Sequence, residues 1–197
     1  LPDAVVQNYT LQEGRDCPSV SLYVTFHEET LEIQSTETKL ERVPIAHNLR
    51  HDQLDSIVTV PWLQDVAFKH ENEPQPLPAL REQLSFLYRL AQDLKARREV
   101  VRGKPETFNR PDYNFRLVRS DPSLAGTEPT GDETVEISTR MRGAPLDLIV
   151  AEAMILANST WGNWMAELGV PGIYRSQASL APGVKVRMGT KALPHAG

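Results

Sequence analysis

Residues 142–177, R-G-A-P-L-D-L-I-V-A-E-A-M-I-L-A-N-S-T-W-G-N-W-M-A-E-L-G-V-P-G-I-Y-R-S-Q, constrain the fold more than any other stretch of the chain. They predict one long helix followed by a tight exit into a strand. Pro145 suits the first helical position, where its missing N–H costs nothing, and Asp147 lies where the helix dipole favours negative charge. Gly169 fits the left-handed residue just past the helix end, and Pro171 prevents continuation. Residues 173–177, I-Y-R-S-Q, then read as a short strand.

At helical period, Leu146, Ile149, Val150, Ala153, Leu156, Ala157, Trp161, Trp164 and Leu168 share one broad face. Leu148, Ile155 and Met165 lie on the opposite side, so the helix is apolar nearly all round. Such a helix is expected to be buried. A third strip carries Ala151, Asn158 and Gly162. Small or polar residues there allow close approach, either by another backbone element or by a ligand strand lying along the helix.

The flanking chain supplies strands and a second helix. Residues 19–26 alternate and are rich in β-formers, residues 27–30 turn, and residues 31–39 return with Leu31, Ile33 and Ser35 on one face. A short third strand is expected at 43–46 and a short helix at 52–58. The polar, proline-rich run E-N-E-P-Q-P-L-P at 71–78 reads as a spacer between helices. From Pro78 to about residue 100, Leu80, Leu84, Leu87, Tyr88, Ala91 and Leu94 form the stripe of a long amphipathic helix. Its basic end, with Lys95, Arg97, Arg98, Arg102 and Lys104, complements the helix dipole or contributes to a path for an anionic strand. Residues 108–118 and 134–139 predict a strand and its returning partner across a loop rich in Pro, Gly, Ser and Thr. Together these elements predict an α+β fold, with mixed or antiparallel strands packed around a long buried helix.

The 197 residues suffice for one domain with a sizeable core. No run of about 18 apolar residues suggests a membrane span. Leu1 in place of Met is read as a true N-terminus that lies elsewhere, and the single Cys17 fits a reducing cytoplasm. The net charge of −5 argues against a generally basic nucleic-acid surface, yet an internal channel needs only local positive charge. His47 and His51 are spaced to share a metal if helical, but no third ligand or general base follows, and His70-Glu71 lacks a zincin's second histidine. A zinc site is therefore not expected.

Three motifs in order carry a family resemblance: R-P-D-Y-N-F at 110–115, I-V-A-E-A-M-I-L-A-N at 149–158 with its L-G-V-P-G-I-Y-R exit, and P-H-A-G at 194–197. They resemble the catalytic (RNB) domain of the ribonuclease II and ribonuclease R family. Leu1-Pro2 also resembles the end of that family's short Leu-Pro linker, so the resemblance covers essentially the whole chain. The short connection through residues 178–192 resembles a short-form bacterial subgroup.

The resemblance implies a monomeric cytoplasmic hydrolase that degrades single-stranded RNA from its 3′ end to nucleoside 5′-monophosphates. It implies two-metal chemistry in which carboxylates hold Mg²⁺, a cation offsets phosphate charge, and aromatic rings stack on the terminal bases. The family's D-x-D-D carboxylates precede its Leu-Pro, and its T-S-P-x-R-R arginine segment follows P-H-x-G; neither motif occurs in these residues. The chain is thus expected to be the middle portion of an RNB catalytic domain, with no catalytic residue and no metal ligand of its own. A non-catalytic RNB-like domain that binds RNA or a protein partner is the alternative.

The RNA contacts implied by the resemblance are Phe108 as the second stacking aromatic, Arg175 after the helix, and Asn158 on the close-approach strip. Phe108 stands one residue closer to R-P-D-Y than the commonest family pattern, and Gln177 replaces a family histidine. Many relatives carry a Tyr and the first Glu of a Glu-Glu pair near the RNA ribose. Those positions correspond here to His51 and Ala151, a paired departure that leaves neither partner stranded.

Overall fold

Proline placement and left-handed glycines set the ends of the two helices that carry the fold. The computed structural model describes residues 1–173 except 66, 72, 104, 106–110, 120–130, 132 and 142, with backbone alone at 51, 52 and 141. In chain order the elements are α1 (Asp3–Tyr9), β1 (Asp16–Phe26), β2 (Ile33–Pro44), α2 (His51–Leu54), α3 (Val60–Gln64), α4 (Leu77–Arg102), β3 (Pro111–Val118), β4 (Thr134–Met141) and α5 (Pro145–Glu167). β1 pairs with β2 and β3 with β4, each pair an antiparallel two-stranded sheet. The class is α+β, with α4 packed against α5.

α5 begins at Pro145 with Asp147 in its first turn. It ends as the spacing predicts, at Gly169 with φ 65°. The N–H of Val170 donates to the carbonyl of Met165 at 2.9 Å and that of Gly169 to Ala166 at 3.1 Å, which satisfies carbonyls left open by the last turn. α4 ends in the same way at Gly103, φ 70°, whose N–H reaches the carbonyls of Glu99 and Val100. A β-carbon would strain both positions.

The core lies where α2, α3, α4 and the start of α5 converge. Leu54, Ile57, Val58, Trp62, Leu63, Leu77, Leu84 and Leu146 form one buried cluster, with Leu80, Tyr88 and Ile149 against it. Trp62 is its largest fully buried side chain. Its backbone and its ring are both held. Thr59 Oγ1 accepts from the Trp62 backbone N–H at 3.4 Å, the indole N–H donates to Glu73 Oε1 at 2.9 Å, and the Arg81 guanidinium lies 4.9 Å from the ring centroid. Glu73 also accepts the His70 backbone N–H. That bond, then the indole bond, holds its carboxyl below the usual carboxylate range.

Several sequence expectations differ in detail. No third strand forms at 43–46, because β2 runs on through Val43 and Pro44, which pair with Cys17 and Asp16. Proline is tolerated at that terminal position because no further ladder bond is needed from its nitrogen. Leu31 does not share a strand face with Ile33. It sits in the turn at φ 55° and is buried there, while the register shifts between Thr25 and Phe26. α1 and α3 were not predicted. The signal for α3 was the T-V-P-W run, a capping threonine followed by a proline in the first turn. Of the expected exit strand, Ile173 has no regular structure and the rest lies outside the described residues.

α5 departs most from expectation. Pro145, Leu146 and Glu152 are its buried residues among those described, whereas Val150, Met154 and Trp164 are more than half or half exposed, at 57%, 59% and 50%. Among the described residues the helix is buried most where it meets the core and α4, and is only partly covered along the rest of its length.

Replacing Trp62 with Ala is expected to destabilise the full-length protein by about 3–5 kcal/mol, the usual effect of emptying an aromatic site in a core. Urea unfolding measures this, and a loss below about 1 kcal/mol would show that Trp62 does not anchor the core.

Candidate functional site

α4 and α5 leave a groove on each side of their contact. On one side Tyr88, Gln92 and Lys95 of α4 face Leu148, Val150, Ala151 and Met154 of α5 across a groove of about 900 Å³, closed at one end by Asp112, Arg140 and Asp147. On the other side Leu22, Val24 and Phe26 of β1 face Leu90, Leu94 and Leu156 across a smaller apolar groove of about 300 Å³. The first has the size of a small-molecule site and mixes apolar walls with a few polar groups.

Two ion-pair systems hold this arrangement. Glu152, 2% exposed, accepts from Arg98 Nη2 at 2.6 Å and ties the middle of α5 to the end of α4. Arg140, at the end of β4, donates to Asp55 Oδ2 at 2.7 Å and to Asp147 Oδ1 at 2.7 Å. Asp147 also accepts the Gly143 backbone N–H at 3.2 Å, at the dipole-favoured start of α5. Burial of the Arg140 guanidinium opposes its charge, but the hydrogen bonds to Asp147 and Asp55 outweigh it and raise its pKa. The clasp ties the end of β4 to the residue after α2 and to the start of α5 beside the groove.

The basic end of α4 is engaged within the protein. Arg97 pairs with Asp93 at 2.7 Å and donates to the Thr30 carbonyl at 2.7 Å, Arg98 pairs with Glu152, and Lys95 lies 3.7 Å from Glu99. Glu99, Asp112 and Asp147 face Lys95 and Arg140 in the groove, which leaves no excess of positive charge. Such a lining suits a ribose or a base better than a phosphate.

The five candidate RNA-binding residues are distributed unevenly. Ala151 is half-buried in the large groove. Asn158 is exposed about two turns further along α5 and does not line that groove, so the structure does not bring the two together. His51 opens α2, a description limited to its backbone, and Phe108 and Arg175 lie outside the described residues. His47 is not helical and faces Glu13 at 3.6 Å, so the spacing it shares with His51 builds no helical metal pair. Among the described residues no group of His, Cys, Asp and Glu is arranged to hold a metal ion. Arg140 and Glu152 were missed as structural elements of the site. A charge within the apolar run of α5 was the available signal for Glu152. Arg140 had none, since Asp55 is distant in sequence.

The chain matches the RNB domain over residues 1–187. It belongs to that family, a family of RNA-processing exoribonucleases. No curated protein sequence matches it.

Substituting Glu152 with Ala is expected to destabilise the protein by about 3–5 kcal/mol, because it removes one half of a largely buried ion pair. The double change Arg98→Met with Glu152→Leu is expected to recover most of that loss. Urea denaturation of the single and double variants measures both, and additive losses would show that the pair is not coupled.

Proposed function

We propose that this chain is the scaffold and RNA-channel portion of a 3′→5′ exoribonuclease that hydrolyses single-stranded RNA to nucleoside 5′-monophosphates. The observation that carries the reading is membership in the RNB family over residues 1–187, a span that contains R-P-D-Y-N-F and I-V-A-E-A-M-I-L-A-N. The protein is read as bacterial, cytoplasmic and monomeric, with single-stranded RNA as its partner.

The catalytic metal is Mg²⁺ in this reading. The described residues do not fit it, because Asp55 and Asp147 are committed to Arg140 and no carboxylate cluster stands beside them. Its ligands and the catalytic arginine are assigned to polypeptide outside residues 1–197. The part left to this chain is to bind and orient RNA. Phe108 stacks on a base, Arg175 meets a phosphate, and Asn158 lies along the strand's path. His51 and Ala151 stand beside a ribose. The groove supports the Ala151 part of that assignment, since Ala151 lies among Gln92, Lys95 and Met154 with room for an uncharged sugar.

The 197-residue polypeptide alone is expected to hydrolyse no RNA with or without Mg²⁺. Metal-dependent release of nucleoside monophosphates by the purified chain would overturn the assignment of the catalytic groups to other segments. If the full-length protein binds RNA but never cleaves it, a non-catalytic RNB-like binding domain replaces the enzyme.

The ribose assignment has its own test. In full-length protein, His51→Tyr with Ala151→Glu is expected to raise the RNA-to-DNA rate ratio on matched ends by roughly tenfold, the effect of about one new hydrogen bond to a 2′-hydroxyl. An unchanged ratio would remove His51 and Ala151 from the ribose contact.

A further inference from the structure

The last two turns of α5 carry a second mixed surface, separate from the groove beside Ala151. Thr160, Trp161, Asn163, Trp164 and Glu167 fall on one side at spacings of three and four residues. They face Thr36 and Thr38 of β2 across a groove of about 440 Å³. The Trp161 indole N–H donates to Thr38 Oγ1 at 3.1 Å, which fixes that ring against the hairpin. Trp164, one turn on, is 50% exposed.

We propose that this groove is a subsite for one nucleobase of single-stranded RNA, with Trp164 as its stacking surface. Four features of the groove select that ligand. A half-exposed indole beside a fixed one offers a flat apolar surface at little entropic cost, which is how sequence-tolerant single-strand binders hold bases. The groove's volume falls within the range of small-ligand sites and exceeds what one indole fills. Its lining has hydroxyl, amide and carboxylate groups able to meet a base edge. Among the described residues its lining has no Lys or Arg, which favours a base over a phosphate as the recognised group.

Glu167 gives the subsite a preference. Its carboxylate accepts hydrogen bonds but cannot donate them, so it pairs well with an exocyclic amino group, whereas uracil's N3–H lies between two carbonyl oxygens that the carboxylate repels. Cytosine, which presents an amino donor, is the simplest probe. The inference rests on the RNA reading for its ligand class, although the groove itself does not depend on where catalysis occurs.

The test uses full-length protein in EDTA with single-stranded tetracytidylate and tetrauridylate, followed by indole fluorescence. Within residues 1–197 the tryptophans are the buried Trp62, Trp161 and Trp164, so the part of the change that Trp164→Ala removes reports this groove. Tetracytidylate is expected to quench and to bind more tightly than tetrauridylate. Trp164→Ala is expected to weaken it by about 5- to 100-fold with an unchanged melting temperature, the range for losing one stacked base. Trp164→Phe is expected to keep most of the affinity, and Glu167→Gln to erase the cytosine preference. Equal affinity in wild type and Trp164→Ala, while the wild type hydrolyses RNA in Mg²⁺, overturns the subsite and leaves the exoribonuclease reading intact. Absence of both RNA binding and hydrolysis in the wild type overturns both. Quenching by an oligosaccharide such as maltopentaose, but not by either oligonucleotide, replaces the base with a sugar and also overturns the subsite.

Discussion

The Arg98–Glu152 pair decides how the two long helices meet. A carboxylate taken almost wholly out of water requires an opposite charge in good geometry, and Arg98 supplies it at 2.6 Å. That requirement fixes which face of α5 turns toward α4. Once it is fixed, Leu146 and Ile149 fall into the core under Trp62 and Leu84, while Ala151 and Met154 turn into the large groove. On the remaining side, Ala153 and Leu156 face the apolar side chains of β1. An apolar residue at 152 would fit the same space but would not select this rotation over its neighbours, because nearly every face of α5 is apolar.

The elements legible in the sequence are those whose signals are local. Pro145, Asp147 and Gly169 mark α5 to within a residue or two, and the alternation of 19–26 marks β1. What escaped was decided by contacts between distant segments. Trp62 gains its place from Glu73, Arg81 and the α4 leucines, so five residues suffice for α3 where propensity alone predicts none. Arg140 lies just past the strand predicted at 134–139 and is a clasp in space, because its partner Asp55 is separated from it by three intervening elements. The candidate site was legible only through family resemblance. Periodicity placed Ala151 and Asn158 on one strip, yet the groove takes in the first and not the second.

Charge explains why composition says little about RNA here. The chain is acidic overall, and the basic run ending α4 looked like the one local reserve of positive charge. Arg97 and Arg98 are spent on Asp93, Thr30 and Glu152, so they build structure before they attract phosphate. In the proposed reading the contacts left to a nucleic acid here are a ribose beside Ala151 and a base on the indoles beside Thr38. Binding through stacking and sugar contacts is less sensitive to salt than binding through counterion release.

α5 joins these two surfaces as one rigid element. Ala151 and Trp164 are thirteen residues apart on an unbroken helix, hence about 20 Å along its axis. No loop intervenes, so local motion does not alter that separation, and the cap at Gly169 keeps the final turn regular beneath Trp164. The apolar residues exposed on the same helix follow from the same requirement. A helix that must meet a core at its start, an ion pair in its middle and a flat aromatic groove at its end has little room for a polar face. The near-uniform apolar pattern that predicts complete burial is equally the pattern of a helix with a different partner along each part of its length.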